Sequence, residues 1–259
     1  MLGKSFYSEF GRGKKISKIA LGTVKFGRNQ QVKYPVEFEI PDNKKIENLL
    51  LLAKNAGINS LDTAPAYGSA EKRIGEILNK DTDNWIIGTK VGEVFQNGQS
   101  FFDFSYDTTI KSIDNSINNL RRNNLDYVLL HSDGNDSKVL QSAACEVLFK
   151  LRSLGVINKI GISCKTSAGF IEAINLGCDI IMVELNLNCI SNRQLCLLAE
   201  KNNVKVLVKK ALSSGHANVL NTFNWLASES SITSIVLGTI SSDHLEQNLS
   251  IYKDALYGK

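Results

Sequence analysis

The feature that most constrains the fold is a repeated order of apolar segment, polar loop and amphipathic segment along the 259 residues. The apolar segments are five or six residues long and rich in Ile, Val and Leu, as strands buried on both faces are. Eight strands are predicted, at residues 19–23, 59–63, 85–90, 126–131, 159–163, 179–184, 205–209 and 234–239. They alternate with periodic segments, which predicts a parallel sheet with helical crossovers.

The segments between these strands have helical periodicity. Helices are predicted near residues 43–56, 70–79, 107–123, 138–154, 167–176, 190–202, 217–229 and 241–252. Asp107 and Ser241 have side chains preferred at helix N-caps, while Gly57, Gly155 and Gly177 fit the ends of helices. Each predicted strand is therefore followed by a helix with plausible boundaries.

Eight strands, each followed by a helix, predict a TIM (β/α)8 barrel that forms one domain over residues 1–259. The segment before Ile19 is expected to form a short hairpin over the bottom of the barrel. An open doubly wound sheet is the alternative, but it predicts a GxGxxG turn after an early strand, and the sequence has none. Two long loops, 27–42 and 91–106, follow the first and third strands, where functional loops are expected.

Composition excludes several functional classes. The chain is 43% hydrophobic with a net charge of +4 and no basic block, which gives little support for nucleic-acid binding. The longest apolar run is far shorter than the roughly 20 residues of a membrane helix, and the N-terminus lacks a secretory signal. The five cysteines are scattered without CxxC spacing, which predicts a reducing cytoplasmic location and no metal site. The oligomeric state stays open.

Four ionisable residues lie at or just after the carboxyl ends of neighbouring predicted strands: Asp62, Tyr67, Lys90 and His131. Each has an ordinary structural interpretation, such as turn capping, rim packing, a solvated strand end or a core histidine. In a TIM barrel, however, these strand ends meet at the catalytic face. Finding all four at that level predicts a catalytic site.

The segments that carry these residues, LDTAPAYGSAEKRIGEIL, IIGTK and YVLLHSDG, resemble the aldo-keto reductase superfamily. The resemblance extends from about residue 19 to about residue 248. It implies an NAD(P)H-dependent oxidoreductase that reduces a small aldehyde or ketone, or oxidises the matching alcohol. It also implies that Asp62, Tyr67, Lys90 and His131 form the catalytic tetrad, the name used for these four residues below.

The chemistry of the tetrad agrees with that implication. Carbonyl reduction needs a hydride at carbon and a proton at oxygen, which Tyr67 can donate. A free tyrosine has a pKa near 10, and the Lys90 ammonium is expected to lower the pKa of Tyr67. Asp62 would hold Lys90 by an ion pair. His131 can hydrogen-bond the substrate oxygen and the Tyr67 hydroxyl.

The resemblance implies a cofactor, NADP(H) or possibly NAD(H), held at the remaining strand ends. The implied cofactor-binding residues are Gly22, Thr23, Asp62, Ser163, Lys209, Lys210, Leu212, Ser213, Gly215, Gly238, Thr239, Ser241, His244, Gln247 and Asn248. NADP(H) is the family's default rather than a deduction from these residues. The long loops offer aromatic side chains as possible pocket walls: Tyr34, Phe38, Phe95, Phe101, Phe102, Phe104 and Tyr106.

Several positions depart from the family pattern. Cys164 replaces the Asn that follows Ser163 in the family, with Lys165 and Thr166 as nearby substitutes. Lys209 stands where many relatives have an aromatic ring, and one of the two lysines there is expected to reach the pyrophosphate. Gly238 and His244 stand where NADP-preferring relatives commonly have Lys and Arg. His216 is expected in a surface loop.

Two other functions fit parts of the pattern. A non-catalytic nucleotide-binding or redox-sensing barrel would explain the altered cofactor positions, although it leaves the intact tetrad without a role. An isomerase or aldolase barrel could use Lys90 or Lys209 in a Schiff base, but the DTAPAYG motif would then be unexplained.

Overall fold

In the computed structural model, which describes residues 5–258, eight parallel strands close into a barrel. Two hairpins, β1–β2 and β6–β7, lie outside the barrel. All strands of the described residues are, in chain order, β1 (Tyr7–Gly11), β2 (Lys14–Ser17), β3 (Ile19–Gly22), β4 (Ser60–Asp62), β5 (Ile86–Val91), β6 (Glu93–Gln96), β7 (Gln99–Phe102), β8 (Leu125–His131), β9 (Ile157–Ser163), β10 (Ile180–Glu184), β11 (Lys205–Lys209) and β12 (Ser234–Leu237). The order around the barrel is β3, β4, β5, β8, β9, β10, β11, β12, and β12 pairs with β3 to close it. The predicted TIM barrel is confirmed.

Helices connect the barrel strands on the outside. They are α1 (Asn43–Asn55), α2 (Ala70–Leu78), α3 (Tyr106–Leu120), α4 (Asp136–Leu140), α5 (Ala143–Ser153), α6 (Ser167–Asn175), α7 (Arg193–Lys201), α8 (Val219–Leu226) and α9 (Ser242–Tyr257). No helix within residues 5–258 is long and apolar enough to cross a membrane.

Two predicted helix boundaries were wrong. The helix predicted over residues 138–154 is two helices, α4 and α5, with Ser142 as the N-cap of the second. Asp107 is not an N-cap, because α3 already begins at Tyr106 and Ser105 occupies the cap position. The Asp103 side chain accepts a hydrogen bond from the amide of Ser105, the cap residue, which lies two residues before Asp107.

The other predicted cap and stop residues are confirmed, although α9 continues to Tyr257, beyond its predicted end at residue 252. Ser241 is the N-cap of α9, and its side chain accepts a hydrogen bond from the amide of His244. Gly57, Gly155 and Gly177 each follow a helix with positive φ, at 91°, 78° and 80°. Glycine has no Cβ to clash in this left-handed conformation, which is why these helices end there.

The bottom of the barrel is closed by the predicted N-terminal hairpin of β1 and β2. Phe10 and Ile16 of this hairpin pack into the barrel interior, in a buried cluster that includes Tyr127 of β8. A Cβ at Gly88 would lie 1.7 Å from the Tyr127 ring, so glycine at this position of β5 makes room for the tyrosine. The interior is thus a packed core, and only its upper end is open.

The loop 91–106 contains a hairpin, β6 and β7, that the sequence analysis did not assign. Gly92, with φ at 103°, turns the chain out of β5 into this hairpin, and Phe104 packs beneath the turn where a Cβ on Gly92 would lie. Glu93, the first residue of β6, is held close to the carboxyl end of β8, where His131 lies.

Candidate active site

The tetrad lies together at the carboxyl ends of the barrel strands. Asp62 is the last residue of β4, and Tyr67 ends the 3-10 turn Pro65–Tyr67 that follows it. Lys90 lies near the end of β5, and His131 is the last residue of β8. All four line one cavity of about 1270 Å³, called the main cavity below.

Lys90 is the centre of the tetrad's hydrogen bonding. Its ammonium donates to Asp62 Oδ2 at 2.7 Å and to the Thr63 carbonyl at 2.9 Å, while its side chain is 1% exposed. Burial alone lowers the pKa of Lys90, but Asp62 and Tyr67 outweigh that effect and raise it. Lys90 is therefore a fixed positive charge, as the sequence analysis expects.

Tyr67 departs from the expected acidity. Its ring lies 4.8 Å from Lys90 Nζ, and the lysine lowers its pKa as anticipated. Burial raises that pKa more strongly, Asp62 raises it further, and the net direction is upward. The hydroxyl therefore keeps its proton at neutral pH.

His131 has a partner that the sequence analysis missed. Glu93 Oε2 lies 2.8 Å from His131 Nδ1, although it lies off the direction in which a ring N–H would point. Burial lowers the pKa of His131 most strongly, and the positive charges of Lys90 and Lys209 lower it further. Glu93 raises this pKa but does not compensate, so the pKa of His131 lies below its usual value. On the other side, the rings of His131 and Tyr67 meet edge to face with centroids 6.2 Å apart.

Most of the implied cofactor-binding residues line the same main cavity as the tetrad. These are Gly22, Thr23, Asp62, Ser163, Lys209, Lys210, Leu212, Gly215, Gly238, Thr239, His244, Gln247 and Asn248. Ser213 and Ser241 do not line it. Ser241 caps α9, and the Ser213 hydroxyl accepts a long hydrogen bond from Asn188 Nδ2 at 3.4 Å.

The two lysines at the end of β11 point to different partners. Lys209 Nζ turns inward and donates to Ser163 Oγ at 2.8 Å and to the Cys164 carbonyl at 2.9 Å. Burial lowers the pKa of Lys209 to about 8. Lys210 pairs with Glu184 at 2.5 Å. Neither ammonium is free in the main cavity, contrary to the expectation that one reaches toward a pyrophosphate.

Cys164 lacks the side-chain amide that an Asn would offer, and a hydrogen-bond donor comes instead from β11, two strands away in the barrel. Thr166 caps α6 and is bound to Asp136, and the amide of Lys165 is bound to the same carboxylate. Neither therefore substitutes for the missing Asn through these groups. Lys209 instead brings a donor to the Ser163–Cys164 turn, a role that its position in a KK pair on β11 does not reveal.

The loop 27–42 reaches across the main cavity. Tyr34, Pro35 and Val36 line it, and the Tyr34 hydroxyl occupies the space where a Cβ on Gly238 would lie, at 2.5 Å. Pro35 lies similarly close to Gly215, at 3.3 Å. The loop therefore bridges the ends of β3, β11 and β12.

The aromatic residues of the two long loops are divided between different surroundings. Tyr34 lines the main cavity, while Phe38 packs against Tyr34 with Lys25 over both rings. Phe102 lines a second cavity, of about 510 Å³, beside His131, called the side cavity below. The others are elsewhere: Phe101 and Tyr106 are exposed, Phe104 packs against the core, and Phe95 stacks on Arg28.

The main cavity has the size and charge to hold an anionic dinucleotide. Its lining includes six lysines and only two carboxylates: Lys25, Lys33, Lys90, Lys165, Lys209, Lys210, Asp62 and Glu184. It runs from the tetrad past the carboxyl end of β12 to the first turn of α9, where backbone N–H groups favour anions. Glycine at positions 22 and 238 lets Val236 and the Tyr34 hydroxyl approach the floor of the cavity closely, because a Cβ at either position would lie within 3 Å of them.

Comparisons with known proteins agree with this arrangement. The model of the Aldo/keto reductase family matches residues 18–224. A solved structure from Pseudomonas aeruginosa, provisionally assigned as an aldo-keto reductase, is 38% identical with a TM-score of 0.89, covering 98% of this chain and 97% of that one.

Two curated relatives have names that state an activity. D-arabinose 1-dehydrogenase of Saccharomyces cerevisiae is 30% identical over 177 residues, covering 60% of this chain and 50% of that protein. Pyridoxal 4-dehydrogenase of Microbacterium luteolum is 23% identical over 208 residues, covering 64% and 61%. The chain thus matches less than two thirds of the length of either relative.

Proposed function

Because this chain belongs to the aldo/keto reductase family, we propose that it transfers hydride between a nicotinamide cofactor and a small carbonyl compound. The reaction is reduction of an aldehyde or ketone, or oxidation of the matching alcohol. One observation carries the proposal: Asp62, Tyr67, Lys90 and His131 converge in a cavity that continues to the start of α9. The tetrad and a dinucleotide can therefore occupy one continuous space.

The cofactor, when bound, supplies the hydride. Tyr67 donates the proton from its hydroxyl to the carbonyl oxygen, and Lys90 stabilises the negative charge left on the phenol. Asp62 keeps Lys90 charged and in place through the contact at 2.7 Å. His131 borders the same space, where a hydrogen bond from its ring stabilises charge on the substrate oxygen.

Ser163, with Lys209 bound to it, is proposed to face the nicotinamide end of the cofactor. Gly22, which lies opposite Asp62, is proposed to face the same end, while Gly238 and the first turn of α9, with its backbone N–H groups, are proposed to hold the other end. The test is to mix the protein with NADPH and a reactive aromatic aldehyde and to follow cofactor oxidation. Turnover supports the proposal, whereas binding without turnover would favour a nucleotide-sensing barrel.

A Schiff-base mechanism at Lys90 is not favoured. An amine must lose its proton before it attacks a carbonyl, yet Asp62 and Tyr67 raise the pKa of Lys90 above its usual value despite burial. The ammonium also donates to two oxygens that hold it in place.

A polar substrate is proposed from the side cavity. Charged and polar side chains predominate in its lining: Arg28, Gln31, Glu93, Gln99, Ser100, His131, Ser132 and Lys165, with Phe102 and Gly98. Hydroxyl groups beside the carbonyl can hydrogen-bond there, which agrees with relatives named for arabinose and pyridoxal. We therefore expect a higher kcat/KM for glyceraldehyde than for propanal. An equal or lower value for glyceraldehyde would contradict a polar substrate subsite.

We propose NADP(H) as the cofactor, with weak discrimination against NAD(H). The first turn of α9 carries Asp243 and His244 but no lysine or arginine, so no permanent cation there is available to the 2′-phosphate. His244→Arg should tighten NADPH binding by about 10-fold or more, since a charge-assisted hydrogen bond contributes about 1.5–3 kcal/mol. NADH binding should stay nearly constant. The measurement is the ratio of the two dissociation constants.

His216→Arg is the matched control for this experiment. His216 is exposed, as expected, and does not line the main cavity, so the same added charge should leave the ratio near the wild-type value. A wild-type ratio above about 1000 that His244→Arg leaves unchanged would mean that other groups bind the 2′-phosphate. Lys33 on the loop 27–42, or Lys25 just before that loop, would then be the first residue to test.

A reducing compartment, such as the cytoplasm, is proposed from the cysteines. All five are free thiols, and four of them are buried: Cys145, Cys164, Cys178 and Cys196. Disulfides are rare in reducing compartments, where buried thiols persist as small apolar side chains.

A further inference from the structure

Glu93 is a half-buried charged residue beside His131 that the proposed reaction leaves without a role. Its side chain is 10% exposed, and one carboxylate oxygen lies 2.8 Å from His131 Nδ1. The other oxygen accepts a hydrogen bond from Ser100 Oγ at 2.6 Å and lies 3.4 Å from Arg28 Nη1. The carboxylate is thus held between the β6–β7 hairpin, the loop 27–42 and the end of β8.

Arg28 is itself fixed, so the carboxylate has a stable partner. Its guanidinium donates to the carbonyls of Gln30, Gln31 and Ala66 and lies 3.6 Å from the centroid of the Phe95 ring. Burial raises the pKa of Glu93, but His131, Ser100 and Arg28 together lower it to about 2. Glu93 is therefore ionised at every pH at which the protein would be assayed.

An ionised carboxylate beside Nδ1 determines which nitrogen of the imidazole ring carries a proton and can donate a hydrogen bond. Such a carboxylate can only accept hydrogen bonds, so Nδ1 must carry a proton to satisfy it. A neutral imidazole has one N–H, and Nε2 on the opposite edge of the ring would then be an acceptor. Only the positively charged ring can donate from both nitrogens.

We propose that Glu93 is a positioning residue for His131: its carboxylate holds the proton on Nδ1 and stabilises the charged ring, from which Nε2 donates to the substrate oxygen. The role presupposes the carbonyl reduction proposed above. It makes the charged ring the active form, as a carboxylate orients and stabilises imidazolium in hydrolytic triads. The oblique approach of Glu93 agrees with this role, because catalytic hydrogen bonds in unliganded sites are often poorly aligned.

The groups that face His131 determine the pH dependence. Glu93 on β6 favours the charged ring, while Lys90 on β5 and Lys209 on β11 disfavour it, and Tyr67 packs against the ring. Reduction should therefore slow as pH rises through the pKa of His131. Without the charge on Glu93 that pKa falls, so the decline should begin at a lower pH.

The Glu93→Gln variant tests whether the negative charge of Glu93, and not only its hydrogen-bond acceptor, is needed for the role of His131. The amide oxygen can still accept from Nδ1, but the negative charge is gone. We expect kcat/KM for reduction at pH 7 to fall by about tenfold or more, a part of the 10²–10⁴ typical of positioned acid–base groups. The declining limb of the pH profile should move to lower pH.

The matched control is Glu229→Gln. It removes a buried carboxylate that pairs with Arg193 at 2.9 Å, and neither residue lines the main or the side cavity. Its pH profile should keep the wild-type position. If Glu229→Gln moved the limb as much as Glu93→Gln does, the effect would come from general destabilisation and the role of Glu93 would be refuted.

NMR of the protein without cofactor tests the pairing independently of activity. The chain has three histidines, so His216→Gln and His244→Gln assign the His131 ring signals. The nitrogen shifts of wild-type His131 should identify the neutral tautomer with its proton on Nδ1, and its pKa should be lower in Glu93→Gln. A proton on Nε2 in the wild type, or an unchanged His131 titration in the variant, would overturn the proposal. A wild type with this tautomer but no reductase activity would refute only the proposed reaction.

Discussion

Tyr67→Phe should lower kcat for carbonyl reduction by about 10²–10⁴-fold, because it removes the proposed proton donor. The ring remains, so its contacts with Lys90 and His131 and the shape of the main cavity should be kept. The dissociation constant for NADPH should therefore change little. Steady-state kinetics with one aldehyde and equilibrium titration of the cofactor measure the two quantities.

Tyr252→Phe is the matched control, since it removes a phenol hydroxyl from α9, where the ring packs against Phe6 and Phe223 away from the main cavity. It should keep wild-type kcat. Retention of more than about a tenth of wild-type kcat by Tyr67→Phe would exclude the hydroxyl as the acid, because the contribution of a positioned donor is larger.

Lys90→Met should also abolish measurable turnover, with a loss of at least about 100-fold in kcat. It removes the cation that stabilises the phenolate and the donor that fixes Asp62 at 2.7 Å. Breaking a buried ion pair by removing one partner costs about 3–5 kcal/mol when the remaining charge stays buried. Uptake of a proton by Asp62 reduces that cost, so the variant should remain folded at room temperature. Urea denaturation, compared with wild type, measures the loss.

The double variant Lys90→Met/Asp62→Asn separates stability from catalysis. It removes the orphaned charge, so much of the lost unfolding free energy should return, while turnover stays absent. If Lys90→Met were unfolded at room temperature and the double variant regained both the fold and turnover, the pair would be mainly structural. Equal inactivity in two folded variants would support a catalytic role.

The barrel was predictable because each strand is a short apolar run and each helix has a periodic polar face. The tetrad positions followed directly, since parallel strands bring their carboxyl ends to one face. The β6–β7 hairpin was missed although Asn97-Gly98 lies between alternating residues, which is a strong hairpin signal. That turn places Glu93 on a strand that leaves the end of β5.

Contacts between side chains of different strands could not be predicted in the same way. Glu93 meets His131 only after the hairpin folds back, and Lys209 reaches the Ser163–Cys164 turn from another strand. The direction of the pKa of Tyr67 was also beyond the sequence, because it depends on how much burial outweighs the charge of Lys90. The order of the strands predicts which residues lie at the same end of the barrel. Their contacts and pKa values depend on side-chain direction and on the exclusion of water, which the sequence does not show.

The pairing of β12 with β3 has a consequence for biosynthesis. Ile235 of β12 lies opposite Ile19 of β3. One edge of β3, the first barrel strand, therefore stays unpaired until almost the whole chain has been synthesised. Until then that edge is open to pairing with other chains, and such non-local pairing forms slowly. A nascent chain that stops before Ser234 already contains the whole tetrad but has no closed ring of strands to hold it. Such a chain is therefore expected to expose unpaired strand edges until the last strand emerges.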